Sequence, residues 1–297
     1  MRRAITTFLL AIIWTVWIGN NPAFAQESRK GMDIFSFRYI YSPPSQVESS
    51  DLPDDFQVET NEFKIIGSLP YFIKETKTLF LNGFSYSLLT VNTQTDAAIN
   101  HKTYDFHTVQ YRFNLVQMLP KDLNVTAMLM PAIASDFEGF SRGDVRANSG
   151  VLFGYRPVEN LNIQFGVVYL SNFGEDMILP MFGLQYKTEH WRILANLPAI
   201  MEFWYVPLDF LELGINARLE GNQFHMHQDD MEVDYFRQSM FNLGPALRAY
   251  PFKGLFVQIW GGTTAYRRLE TFKDDQRTFD LSPEPNWFVS AGLGYGL

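Results

Sequence analysis

The chain has 297 residues, a formal net charge of −8 and no cysteine. The negative charge argues against a nucleic-acid partner, which needs a basic face, and the lack of cysteine excludes disulfides, thiol chemistry and a lipid-modified cysteine anchor. With 46% hydrophobic, 16% aromatic and 19% charged residues, it is too polar for a helical membrane protein and too aromatic for a typical soluble domain.

The N-terminus has the three parts of a secretory signal peptide. Arg2 and Arg3 supply the positive charge, residues 4–19 are apolar apart from three threonines, and Ala23-Phe24-Ala25 is a small-x-small cleavage site. We therefore expect cleavage after Ala25, with residues 26–297 forming one domain. No later stretch approaches the roughly 20 apolar residues of a transmembrane helix, so the exported chain is either soluble or a β-barrel.

After the signal, apolar and polar residues alternate with the period of a β-strand. The runs near 109–116, 161–170 and 211–220 show this alternation most clearly. Many runs last about ten residues, which is the length that crosses a bilayer at a tilt, whereas soluble strands average about five or six. Aromatic residues gather at the ends of the apolar faces, as in membrane-interface girdles: Tyr39, Tyr41, Tyr155, Tyr169, Tyr186, Trp191, Tyr205, Trp287 and Tyr295.

The alternation predicts about 12–14 strands, and an even number is expected for a bacterial barrel. Between residues 191 and 206, Pro198 marks either a tight turn between two short strands or a kink in one. The runs lie near 32–41, 59–69, 78–89, 104–117, 123–135, 144–156, 161–170, 177–187, 191–198, 200–206, 211–220, 235–250, 255–266 and 286–297.

Short and long connections alternate along the chain. The short ones contain a proline, a polar residue and a leucine that starts the next strand, at 120–123, 157–161, 207–211 and 251–255. Longer polar segments lie near 42–58, 91–103, 136–143, 171–176, 221–234 and 267–286. Short periplasmic turns and long extracellular loops are the asymmetry of outer-membrane barrels.

The alternation continues to the end of the chain. Trp287, Val289, Leu293, Tyr295 and Leu297 are apolar, and the residues between them are small after position 288. A closed barrel pairs its last strand with its first, because an open edge cannot sit in lipid. We expect this segment to be the barrel-closing strand.

The signal, the proline–leucine turns and the terminal strand together resemble an outer-membrane β-barrel family of unknown function, porin-like and without a plug or periplasmic domain. The resemblance covers residues 26–297. It implies an all-β fold, one antiparallel transmembrane β-barrel in the bacterial outer membrane, surrounded by lipid and lipopolysaccharide and inserted by the barrel assembly machinery. It carries over no catalytic residue, and we expect no cofactor. It does not indicate an oligomeric state.

Alternation also places charged side chains on the inner face of the barrel. They form either the lining of a passive or gated pore or a salt-bridge network that fills the interior. Basic residues outnumber acidic ones, so a pore would favour anions, and 12–14 strands lie between filled and open barrels. The candidate selectivity residues are Arg38, Lys64, Arg112, Arg146, Arg156, Glu212, Arg218, Glu220 and Arg248, with Glu62, Lys187, Arg192 and Glu202 on the same face.

One histidine pair suggests metal binding. His225, His227 and Asp229 combine imidazole and carboxylate, which suit zinc, copper or nickel. A solvated extracellular loop is the alternative interpretation. Acidic residues near 48–59 and 229–234 also leave open a non-conducting surface protein that binds cations or a partner.

An enzyme is the third hypothesis, because some outer-membrane barrels act on lipids through a rim serine and histidine. The candidates are His101 or His107 with Ser85 or Ser87, but no nucleophile motif surrounds either serine. We expect a pore for small solutes and not an enzyme.

Overall fold

The computed structural model describes residues 33–47, 56–95, 102–171, 176–227, 233–274 and 276–296, so the predicted signal peptide lies outside it. Among these residues, no helix is long and apolar enough to cross a membrane. The elements are β1 (Asp33–Gln46), β2 (Gln57–Ile73), β3 (Thr78–Gln94), β4 (Lys102–Leu119), β5 (Leu123–Ser135), the 3₁₀ turn η1 (Arg142–Asp144), β6 (Val145–Val158), β7 (Leu161–Leu170), β8 (Met177–Lys187), β9 (Trp191–Leu197), β10 (Ile200–Leu208), β11 (Leu211–His225), β12 (Tyr235–Phe252), β13 (Leu255–Lys273), β14 (Gln276–Leu281) and β15 (Asn286–Gly296).

Fourteen strands form a closed antiparallel barrel. Strands β1 to β13 are neighbours in chain order, and β15 completes the ring by pairing with both β13 and β1. Strand β14 stands outside the ring and pairs only with the outer end of β13. The predicted terminal strand therefore closes the barrel.

The outer face of the ring is apolar. Phe153, Phe165 and Ile215 are each more than half exposed, and they alternate with inward-facing polar or small residues. Such a surface is stable only against hydrocarbon, and a closed ring leaves no unpaired strand edge in the lipid. The protein is therefore an integral β-barrel of the bacterial outer membrane.

The sequence prediction was right for the strands inside the membrane and wrong for several of their outer ends. Segments predicted as loops contain the end of β1, the end of β11 up to His225, the end of β13 up to Lys273, and β14. The outward-facing residues of these stretches are mostly polar because water, not lipid, surrounds the barrel there, so the apolar outer band is lost while the backbone ladder continues. Pro198 lies in a tight turn between two separate strands, β9 and β10.

The extracellular rim is uneven. Strands β9 and β10 end at the turn between Leu197 and Ile200, whereas β11 continues to His225. Beyond that turn, no strand of the described residues lies between β8 and β11. There β11 meets β5 instead, through a parallel bridge between His225 and Ser135 and a hydrogen bond from the Asp136 amide to the His225 carbonyl at 3.3 Å. We call this contact the β5–β11 seam.

Above the seam, the outer ends of β1–β5 and β11–β13 form a narrower extracellular extension. Its interior holds a packed apolar core, which closes this part of the barrel to water. The core consists of Val47, Val58, Leu89, Val91, Phe106, Ala134, Phe224, Met226, Val233, Phe236 and Leu269.

Strands β12 and β13 approach each other unusually closely at two glycines. A Cβ atom on Gly244 would collide with the carbonyl oxygen of Gly261, and one on Gly262 would collide with the carbonyl oxygen of Leu243. Only glycine fits at either position without moving a backbone strand.

Candidate functional site: the barrel interior

The strand register places the predicted charged residues on the inner face, but they are distributed unevenly around it. All four inward-facing glutamates lie on β2, β10 and β11, and each has a cationic partner. We call this side the paired wall. The opposite side, formed by β4–β8, carries Arg112, Arg146, Arg156 and Lys187 together with many small or uncharged residues, while Arg248 and Arg267 lie on β12 and β13.

The paired wall is built from short ion pairs. Arg218 contacts Glu202 at 2.6 Å, and Arg192 contacts Glu212 at 2.6 Å. The Tyr250 hydroxyl also donates to Glu212, at 3.3 Å. Glu212 is fully buried, and the partners neutralise a charge that would otherwise be costly to bury.

Two tryptophans fill the space between these ion pairs. Trp204 and Trp260 are almost completely buried, and they pack with Ile40, Ala246 and Phe288 into an apolar cluster inside the barrel. We call it the tryptophan cluster. The Trp204 indole N–H donates to Glu202 at 3.0 Å, so its polar edge is satisfied. This half of the interior is therefore packed like a protein core.

Arginines cover the faces of the same tryptophans. The guanidinium carbons of Arg192 and Arg248 each lie 5.3 Å from the centre of the Trp204 ring, and that of Arg218 lies 5.5 Å from Trp260. Arg248 also donates two hydrogen bonds to Gln258. Cation–π contacts hold these arginines in place, together with the ion pairs of Arg192 and Arg218 and the hydrogen bonds of Arg248.

One ion pair spans the interior. Arg38 on β1 contacts Glu220 on β11 at 3.1 Å, although β12, β13 and β15 lie between the two strands around the ring. The side chains therefore meet across the lumen. Lys64 and Glu62 lie beside them on β2 and contact each other at 4.0 Å.

On the opposite wall, three arginines lie at three heights. Arg146 is at the extracellular start of β6, Arg112 is in the middle of β4, and Arg156 is at the periplasmic end of β6. No described carboxylate lies within ion-pair distance of any of them. We call these three residues the arginine row.

The contacts of the arginine row are neutral. Arg112 donates to the Ser68 hydroxyl at 3.1 Å, and Arg146 lies 5.1 Å from the centre of the Tyr235 ring. The Nε atoms of both arginines, and Nη2 of Arg146, are buried and have no protein partner among the described residues. Arg156 is exposed. No described carboxylate therefore neutralises the positive charge on this wall.

The residues predicted for metal binding and for barrel closure lie in two different parts of the structure. His225 and His227 lie at the β5–β11 seam, while Asp229 and Leu297 lie outside the described residues. Trp287, Val289, Leu293 and Tyr295 all face outward on the closing strand β15 and are exposed.

The residues suggested for an enzyme are not brought together. His107 shares the outer face with Tyr86, whose hydroxyl lies 2.8 Å from His107 Nδ1. Ser85 and Ser87 lie on the opposite, inner face of β3. His101 lies outside the described residues.

Sequence reasoning missed the tryptophan cluster. The sequence analysis singled out neither Trp204 nor Trp260, although both alternate in register with inward-facing residues of β10 and β13. The nearby arginines were the available signal, because cations and indole rings commonly stack.

Similar solved structures are outer-membrane proteins. The COG4313 outer membrane channel from Pseudomonas putida F1 is 11% identical, with a TM-score of 0.45 over 88% of this chain and 93% of that chain. A mutant of the TodX monoaromatic hydrocarbon channel is 9% identical, with a TM-score of 0.44 over 91% and 92%. The NanC porin is 11% identical, with a TM-score of 0.35 over 89% and 100%. At these TM-scores the likeness carries no argument about function.

No curated protein matches the chain. The family described as Domain of unknown function (DUF6268) matches residues 75–296, which is most of the barrel. The chain belongs to this family.

Proposed function

We propose that the protein is a passive or gated channel for small anionic or neutral solutes, which pass along the β4–β8 wall. The observation that carries the proposal is the separation of charge inside the barrel. The four inward-facing glutamates are neutralised on the paired wall, whereas the arginine row has no carboxylate partner among the described residues.

The arginine row suits anion passage because of its spacing as well as its charge. Arg146, Arg112 and Arg156 stand at the outer, middle and inner levels of the barrel. Cations at successive levels give an anion several weak sites rather than one strong site, and such sites let it enter and also leave. Low-dielectric walls focus this positive field.

The uneven rim offers the solute a route out of the barrel above β9 and β10. The apolar core of the extracellular extension blocks a straight path through β1–β5 and β11–β13. The wall is lower where β9 and β10 end, at Leu197 and Ile200. A solute following the arginine row would therefore leave between β8 and β11, beneath the β5–β11 seam.

The test is single-channel recording of the purified protein in a planar bilayer under a KCl gradient. We expect discrete openings with a reversal potential of the sign that indicates chloride preference. Arg112→Glu with Arg156→Glu should move the reversal potential towards cation preference. The matched control is Lys74→Glu with Lys253→Glu, which makes the same charge change in exposed turns and should leave the preference unchanged.

Two results would contradict the proposal. One is a barrel that is silent in the bilayer although its heat-modifiable gel mobility shows that it is folded. The other is an equal shift of the reversal potential in the arginine-row variant and in the turn variant. The introduced charges would then act from the surface of the protein and not from the lining of a pore.

The filled core of the extension favours one alternative, a non-conducting surface barrel that binds a partner or cations through its acidic loops. A silent but folded barrel would support this alternative. The experiment would then be deletion of residues 228–232, which include Asp229, Asp230 and Glu232, with loss of partner binding as the expected result.

A further inference from the structure

We propose that the β5–β11 seam contains a binding site for a divalent first-row transition metal ion, with Asp144, His225 and His227 as ligands. The three residues come from two elements that are far apart in the sequence. Asp144 ends η1, whereas His225 ends β11 and His227 follows it.

The distances among the three ligand atoms fit one ion. Asp144 Oδ1 lies 2.9 Å from His225 Nδ1 and 2.9 Å from His227 Nε2, and the two nitrogens are 3.2 Å apart. Zinc lies about 2.0–2.2 Å from such atoms. An ion at that distance from all three would sit roughly 1 Å out of their plane, with its other positions open to water.

The arrangement is hard to satisfy with protons alone. One carboxylate oxygen faces both imidazoles, and the two ring nitrogens that approach it also face each other. If both nitrogens carried hydrogens towards Asp144, these hydrogens would be crowded together. If one nitrogen carried none, its lone pair would face the carboxylate. A bound cation would accept all three lone pairs.

Asp144 is held in a fixed orientation towards the two histidines. Its side chain is completely buried, and its Oδ2 atom accepts a hydrogen bond from the Ser141 amide at 2.9 Å. This hydrogen bond leaves Oδ1 directed at both imidazoles. The carboxylate is therefore already positioned as a ligand.

The loop around the histidines leaves room only for small residues. A Cβ on Gly139 would come within 2.8 Å of His227 Nδ1, and one on Gly143 within 2.8 Å of His225 Cδ2. The His227 amide donates to Asp136 at 2.8 Å, which fixes the chain carrying that ligand. The backbone at Gly139 and Gly143 and the hydrogen bond to Asp136 thus fix the positions of the two histidines before any ion binds.

The ligand types define the class of ion. Two imidazoles with one carboxylate suit zinc, nickel, copper, cobalt or iron, whereas calcium and magnesium prefer oxygen ligands. Both histidine side chains are 17% exposed, so an ion can enter from the extracellular water. Asp229, which the sequence suggested as the carboxylate, lies outside the described residues, and among the described residues the structure brings Asp144 to the two histidines.

The experiment is calorimetric titration of Zn²⁺ into the purified, chelator-treated protein in detergent. We expect one ion per chain, with at least roughly 100-fold weaker binding for His227→Ala and for Asp144→Asn, because even outer-shell changes at metal sites cost 10–100-fold. The control is His190→Ala, a histidine in an exposed turn, which should bind as the unmodified protein does.

A second measurement does not depend on any variant. Electron paramagnetic resonance of Cu²⁺ bound to the unmodified protein should show hyperfine coupling to two imidazole nitrogens. The proposal is overturned if Zn²⁺ binding is not saturable, if it is equally strong after His225→Ala with His227→Ala in a folded barrel, or if the copper spectrum lacks nitrogen coupling.

Discussion

The Arg38–Glu220 ion pair gives the sharpest test of how the interior is packed. The perturbation is Glu220→Met, Arg38→Met and the double variant. Each single change leaves a buried charge without its main partner, whereas the double change replaces both charges with apolar side chains of similar length.

The structure sets the expected magnitude. Two charges about 4 Å apart at an effective dielectric of 20 interact by about 4 kcal/mol. Arg38 and Glu220 are 18% and 20% exposed, so water weakens the pair, and Glu62 nearby still interacts with Arg38. We expect Glu220→Met to lower the free energy of unfolding by about 2–3 kcal/mol. The double variant should cost less than either single change.

The assay is reversible urea unfolding in detergent, followed by tryptophan fluorescence and by heat-modifiable gel mobility. The comparison pair is Arg268 with Asp280 on the exposed hairpin of β13 and β14, where the coupling energy should stay below about 1 kcal/mol. If the Arg38 and Glu220 changes were simply additive, the two side chains would not interact across the lumen, and the description of the paired wall would be wrong.

Three further predictions follow from the structure. Trp204→Ala removes a side chain that is fully buried, so it should cost about 3–5 kcal/mol of unfolding free energy and raise the single-channel conductance. Gly244→Ala should prevent formation of the heat-modifiable folded form, whereas Gly67→Ala should not, because a Cβ there would meet only an oxygen at 3.9 Å. The hydrogen bond from Arg268 holds the pKa of Asp280 below its ordinary value, so the β14 hairpin should keep its full hydrogen-exchange protection above a pH of about 4 and lose it as the pH falls through the lowered pKa. Asp280→Asn should abolish that pH dependence.

The sequence predicts the membrane-spanning part of the barrel well because lipid imposes a period of two. The bounds of β5, β7 and β8 agree with the alternating runs 123–135, 161–170 and 177–187. The extracellular extension could not be predicted in the same way, since both faces of its strands lack the lipid contact that produces the pattern.

The candidate sites were predicted less completely, for a geometric reason. Alternation tells which side chains point inward but not which of them meet across the lumen, so the Arg38–Glu220 contact has no signal in the sequence. The same holds at the seam. The parallel contact between β5 and β11 brings Asp144 to the histidines from 81 residues away, and the local spacing of the sequence contains no sign of this contact.

The short hairpin of β9 and β10 has a consequence for the surrounding lipid. Strand β9 has 7 residues, which at a rise of about 3.3 Å and a tilt of about 40° gives a height of roughly 18 Å. The apolar band of an outer-membrane barrel is about 25 Å tall. Beside β9 the hydrophobic thickness of the protein is therefore smaller than that of the bilayer. We expect the bilayer to be thinner next to this strand than next to the longer strands on the other side of the barrel.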